Sequence, residues 1–318
     1  MSEPAHYARA SVDLRKQLAQ ALPGGQLADL QRRRPWKHFA VLAGLITVLA
    51  ASVTGAARFE RWLMWVPCSI VTGFALFCFT VMLHEVVHNT VLRGSARASC
   101  ILGWIYAFPS GISRTQFTRW HLDHHAQLGD ASADPKRHHL SPKRNARWLK
   151  ALYMTPALFF IYFRAAARET ATYEPAVRAT IARERMITVG GQLAILATLA
   201  LFAGPWLAFK VYVVPYFLVF PVAFTLNRLG QHYDIDPSDP AQWGTLVAAS
   251  RFWDAAFLWS GYHLEHHYFP NVPFYNLRRL HGLLGPFYDG RGMRETTYRR
   301  LLWQWFVVNQ PPHAKWSR

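Results

Sequence analysis

Three short histidine-rich strings carry most of the chemistry legible in this chain. His84 and His88 stand four apart in LHEVVHN, WHLDHH supplies His121, His124 and His125, and GYHLEHH supplies His263, His266 and His267. On a helix, positions i, i+3 and i+4 share a face while adjacent residues diverge by about 100°. Each H-x-x-H-H group can therefore offer ligands to two neighbouring ions. His232, just past an apolar run, is a ninth candidate. Imidazole suits iron, zinc, copper and nickel. Eight or nine neutral nitrogens exceed the needs of one ion and fit two. His6, His38, His138, His139, His281 and His313 stand apart from these groups and read as ordinary surface or core residues.

The strings must be held by helices that sit in a membrane. Phe39–Ala57 is 19 residues without a charge, and Trp62–Leu83 is 22 without a charge or a histidine. Each can cross a hydrocarbon core of about 30 Å at roughly 1.5 Å per residue. Only RFER separates them, which predicts a tight helical hairpin. A second pair runs from Met186 to Leu226, broken by Gly204-Pro205, with Lys210 its only charge and free to snorkel to an interface. Pro215 and Pro221 predict a kinked return. Ala98–Ile112 and Ala151–Phe163, with 15 and 13 uncharged residues, are too short to cross and read as interfacial or re-entrant. Their aromatics, Trp104, Tyr106, Phe108, Phe159, Phe160 and Tyr162, are placed to wall a lateral tunnel, while ordinary interfacial anchoring is the simpler reading of any one of them.

The charge balance agrees. The chain carries 35 Lys+Arg against 18 Asp+Glu, a net charge of +17. With four spans, at about 39–57, 62–83, 186–204 and 206–226, every Lys and Arg except Arg58, Arg61 and Lys210 falls on one side. By the positive-inside rule that side is cytoplasmic, with both termini and all histidine groups on it. The expectation is an all-α integral membrane protein: four transmembrane helices in two hairpins and a cytoplasmic helical cap holding a histidine-rich di-metal site. Residues 1–35 form a cytoplasmic N-terminal segment, 36–290 the catalytic domain and 291–318 a cytoplasmic tail. No basic soluble module or motif points to nucleic acid. Cys68, Cys78 and Cys100 show no paired spacing, so neither a disulfide framework nor a cysteine zinc site is expected.

Two rivals come from other classes. HEVVH matches the zincin pattern, with Glu85 as general base of a membrane zinc protease. That reading needs only three protein ligands and leaves at least five clustered histidines unemployed. A metal transporter would need ionisable residues along its path, and the middle of every span is bare.

The order H-x-x-x-H, H-x-x-H-H, H-x-x-H-H, with the flanks HEVVHN, HLDHHAQLGD and GYHLEHHYFPNVP, resembles the membrane fatty acid desaturase/hydroxylase superfamily over roughly residues 36–290. The flanks are most similar to those of acyl-lipid and sphingolipid desaturases. The resemblance implies a non-haem di-iron centre and molecular oxygen as co-substrate for attack on an unactivated C–H bond. It implies as ligands His84, His88, His121, His124, His125, His263, His266 and His267, with His232 matching the extra histidine between the second and third boxes. Asn227 stands five residues before His232, where some members carry a metal-side Asn at four. Glu85, Asp123 and Glu265 lie inside the boxes, and Asp130 and Asp134 in the following loop, where each can orient an imidazole. A lipid acyl-chain desaturase is expected; the alternative is a hydroxylase or ketolase acting on a fatty acyl, sphingolipid or carotenoid substrate. No dinucleotide fingerprint is present, so electrons should come from a separate ferredoxin or b-type cytochrome.

Overall fold

The computed structural model describes residues 5–311 except 93, 131, 137–141 and 143. His138, His139 and His313 lie outside the described residues. The fold is all-α; among the described residues the β-type pairing is one isolated bridge, Val247 to Thr296. Four helices are long and apolar enough to cross a bilayer: Pro35–Arg58, Trp62–Val87, Pro175–Ala203 and Pro205–His232. Each outruns its apolar core. The second continues to Val87 and so carries His84, and the third begins eleven residues before Met186 with a charged stretch. The chain divides into two compact units, one of Arg34–Thr118 and Leu152–Thr225, the other of Met1–Arg33, Arg119–Ala151 and Leu226–Arg318.

The first unit holds the apolar helices. Gly204 breaks the second hairpin at φ +90°, a conformation open to glycine, and Pro205 starts the next helix at its first position, where no N–H is needed. Pro215 falls in a π-helical stretch, Phe209–Val219, whose wider turn accommodates the missing N–H. That stretch packs closely on Trp62–Val87 because Gly73 lacks a side chain. A Cβ there would lie 2.4 Å from Val219 Cβ and 2.7 Å from the Pro215 carbonyl oxygen. Lys210 is buried, and its ammonium donates to the Phe59 carbonyl (3.1 Å) and the Glu60 carboxylate (3.2 Å). It therefore reaches the RFER turn, which puts these charges at one end of the unit. Glu184, also buried, caps the start of helix Arg114–Gln127. It accepts from the Ser113 hydroxyl (2.6 Å), the Thr115 N–H (2.7 Å) and the Thr115 hydroxyl (2.8 Å). The short apolar runs form helices Ala96–Ala107 and Ala157–Thr170.

The second unit is built from short helices. Leu14, Leu18, Leu22 and Leu30 of the N-terminal segment are buried in it. Helix Val12–Ala21 packs on Gly285–Gly290, and Gly24–Leu30 on Phe274–Leu283, where Asn276 donates to the Leu30 carbonyl at 2.7 Å.

Gly73→Leu should destabilise the chain in detergent by about 1–3 kcal/mol or more, read as a lowered thermal midpoint, because the opposing atom is backbone and cannot yield. Gly44→Ala, which meets nothing within 4 Å, should leave it unchanged. Equal midpoints for both variants would show that the helices do not pack through Gly73.

Candidate metal centre

Three helices bring the histidines of the second unit together. Helix Arg114–Gln127 carries the WHLDHH string, Phe220–His232 ends in His232, and His263–Tyr268 carries the third string. Before the last of these, Leu258 and Trp259 adopt left-handed φ of +46° and +59°, uncommon for such residues. Asn227 Nδ2 donates to Ser260 Oγ at 2.6 Å, and Gln231 Nε2 to Asn227 Oδ1 at 2.7 Å. Asn227 thus ties the helix of His232 to the turn that aims His263. The structure shows it bonded there rather than to an imidazole.

His124, His232, His263 and His267 form one group, all buried, with ligand nitrogens within 4.8 Å of one another. Nε2 of His232 lies 3.0 Å from that of His124 and 2.9 Å from that of His263, which is 3.0 Å from Nε2 of His267. The other ring nitrogens decide what these contacts are. His232 Nδ1 faces the Trp243 carbonyl at 2.8 Å, which can only accept, so Nδ1 carries the proton. His124 Nδ1 faces the Asp134 carboxylate at 2.8 Å, both side chains fully buried, and carries its proton for the same reason. In the neutral rings both Nε2 atoms are therefore lone pairs, and two lone pairs at 3.0 Å repel. One shared proton would settle a single contact; a chain of three around one centre is what a metal ion satisfies. Burial, then the imidazoles of His267, His232 and His266, pushes His263 well below the usual histidine range and keeps it neutral.

A second group in this unit joins His121, His125 and His266, whose Nε2 atoms follow at 2.9 Å and 3.0 Å. Lys136 Nζ lies 2.6 Å from His121 Nδ1. Burial, then Arg228, draws this lysine down to about 7 against the opposing pull of Asp134. When Lys136 is the neutral amine it accepts the Nδ1 proton, and His121 Nε2 then presents a lone pair to its neighbours. In the other unit, His84 and His88 sit at the end of Trp62–Val87 with ring centroids 4.7 Å apart. An all-imidazole donor set fits a borderline divalent cation such as iron or zinc and suits calcium or magnesium poorly.

The acids sort themselves. Asp134 holds His124, and Glu85 lies 3.4 Å from His84 Nδ1 while accepting the Thr90 hydroxyl at 2.6 Å. Asp130 accepts the Ser132 and Ala133 N–H groups and lies 3.9 Å from His6; Asp123 is half-buried. Glu265 pairs with His281 at 2.5 Å and the Tyr288 hydroxyl at 2.8 Å. His281, set aside on the sequence, is buried at this clamp. Burial alone would discharge it, but Glu265 and Glu295 outweigh that and raise its pKa. Other participants were also not legible: Trp243, whose carbonyl holds His232, and Tyr7, whose hydroxyl lies 3.5 Å from the His267 carbonyl. The i, i+4, i+8 spacing of Leu14, Leu18 and Leu22 was the available sign that the N-terminal segment packs.

Fold and site together define a helical, multi-pass membrane protein whose histidine clusters are suited to metal ions. A family model described as fatty acid desaturase matches residues 60–299, and the chain belongs to that family. It is 23% identical to a chloroplastic omega-3 fatty acid desaturase of Brassica napus, over 81% of this chain and 72% of that protein. It is 24% identical to the sphingolipid delta(4)-desaturase/C4-monooxygenase of Homo sapiens, over 96% of this chain and 90% of that protein. A chloroplastic sn-2 acyl-lipid omega-3 desaturase (ferredoxin) of Helianthus annuus is 21% identical, over 81% of this chain and 66% of its own length.

Asp134→Asn should weaken metal retention by about 10- to 100-fold, read as loss to a graded chelator, because His124 loses the carboxylate that orients it. Asp130→Asn, which touches loop N–H groups, should retain metal as the unaltered chain does. Equal retention by both would remove Asp134 from the site.

Proposed function

We propose that this chain is an oxygen-dependent desaturase of lipid acyl chains, working through two iron ions. The observation that carries the reading is the chain of facing imidazole lone pairs in a member of the fatty acid desaturase family. One ion would be held by His124, His232, His263 and His267. The other would be held by His121, His125 and His266, and His84 and His88 are the remaining ligands that the family's first histidine string implies. When bound, the iron pair supplies the oxidising power to remove hydrogen from an unactivated methylene pair. The balance is R–CH₂–CH₂–R′ with one oxygen molecule, two electrons and two protons, giving R–CH=CH–R′ and two waters. A separate ferredoxin or b-type cytochrome supplies the electrons, in keeping with the ferredoxin in one relative's name. Residues 36–290 form the catalytic domain, with the ligands and both termini on the cytoplasmic side.

The protein's own residues then bind and exclude. An apolar slot in the first unit opens between Thr80, Ser110, Phe117, Phe159, Tyr162 and Phe224, among others. The Thr80 and Ser110 hydroxyls pair with each other at 2.9 Å, so they present little unsatisfied polarity to a hydrocarbon chain. Phe159, Tyr216 and Phe220 stack beside it, with centroids 5.4 Å to 5.9 Å apart. Thr80 precedes His84 by four residues on one helix, so the slot lies about 6 Å along the axis from that imidazole. An acyl chain in the slot is held near the first histidine string and away from bulk water.

A second reading is monooxygenation, favoured by the relative whose name joins desaturase to C4-monooxygenase. It differs in the last step: oxygen returns to the first carbon, giving an alcohol and one water. The zinc-protease reading leaves one imidazole group without a task.

Lipid profiles of a host with and without this chain, grown in air, should show new double bonds; new hydroxyls would favour the second reading. An unchanged profile from iron-loaded protein with a competent donor would overturn both. Ser110→Phe should abolish product by filling the slot while two irons per chain remain, whereas His232→Ala should lose iron and product together. A folded preparation that saturates at one metal ion would remove the di-iron assignment.

A further inference from the structure

The C-terminal helices of the second unit leave an apolar face exposed that the metal chemistry does not use. Tyr298–Leu302 runs into the π-helical Trp303–Val308, with Arg147–Leu152 beside it. Trp303, Val307 and Val308 are 59%, 50% and 60% exposed, and Trp148 on the neighbouring helix is 66% exposed. The exposed positions are graded along the axis. Arg299 and Arg300 come first, Trp303 next, then Val307 and Val308, and the four-residue steps put them on one side of a wide helix. Cation, tryptophan, aliphatic is the order of groups met on passing from phosphates through the interface into hydrocarbon.

A second, independent observation points to the same medium. The last carbonyls of a helix have no partner within it and are met by side chains, by water or by a tightened last turn. Here Arg147 donates to the Phe306 carbonyl at 2.7 Å and the Val307 carbonyl at 2.8 Å. Lys150, fully buried, donates to the carbonyls of Trp305 (3.0 Å) and Gln310 (2.7 Å), and Asn145 donates to that of Asn309 at 2.7 Å. Three side chains thus satisfy the helix end from within. Lipid demands such pairing, since it offers no donor of its own; water does not.

We propose that Trp303–Val308, with Trp148, is an interfacial anchor whose C-terminal end dips into the acyl region of an anionic bilayer. Arg299 and Arg300 lie at its phosphates. Too short to span, the element lies at one leaflet and ties the histidine-bearing unit to the surface from which lipid substrate comes.

The test is nitroxide accessibility on the full chain in vesicles of phosphatidylcholine and phosphatidylglycerol, in a background with Cys68→Ser, Cys78→Ala and Cys100→Ser. Labels at Arg299→Cys, Trp303→Cys and Val307→Cys should show collision with oxygen, relative to a water-soluble nickel chelate, rising several-fold in that order. The Val307 label should approach one at Ile46→Cys on the first long helix, and one at Arg9→Cys should favour the nickel chelate. A Val307 label that favours the nickel chelate overturns the proposal. So does one shielded from both reagents, which would mean that a second copy or another protein covers the face. If Val307→Cys fails to fold, Val308→Cys reads the same depth. The readout does not depend on turnover, so its failure is distinct from failure of the desaturase reading.

Discussion

The constraint on which this structure turns is the repulsion between imidazole lone pairs held at about 3 Å in a buried place. His124 and His232 cannot hydrogen-bond to each other, because Asp134 and the Trp243 carbonyl commit both Nδ1 protons elsewhere. Left alone, such an arrangement would open. That it is built at all, with neighbours fixing each tautomer, marks it as prepared for a cation. Much around it serves that preparation: the turn at Leu258 and Trp259 braced through Ser260 by Asn227, and Glu265 clamped by His281 and Tyr288 on the back of the third histidine helix.

The apolar unit meets a different demand. Where water is absent, polar groups must be satisfied within the protein. Glu184 receives hydroxyl and backbone donors at a helix start, Lys210 is spent on the turn between two helices, and Gln192 donates to the Phe108 carbonyl while accepting from Tyr212. Close packing then relies on missing atoms, at Gly73 against Pro215 and at Gly191 against Phe108. The slot lined by Phe159, Tyr162 and Phe224 is space that this packing leaves unfilled.

Desaturation and hydroxylation share their oxidant, electrons and first broken bond. They part on whether the second hydrogen or the oxygen is nearer the carbon left behind. That is a question of how firmly a chain is held, so one family, and one relative's name, can contain both outcomes.

What the sequence determined by itself was whatever depends on neighbours along the chain. The length of each apolar run, the Gly204-Pro205 break and the three histidine strings at helical spacing are local properties, and each was legible. Tertiary structure decided the partnerships. Sequence spacing could not say that His124 joins His232, His263 and His267 while its neighbour His125 joins His121 and His266. Nor could it choose Asp134 over Asp130 as the carboxylate on His124, turn Glu265 toward His281, or bring Tyr7 beside His267. Hydropathy and periodicity add up over a stretch of chain and survive any fold. A hydrogen bond depends on direction as well as distance, and the direction of a side chain is set only when a distant segment returns to meet it.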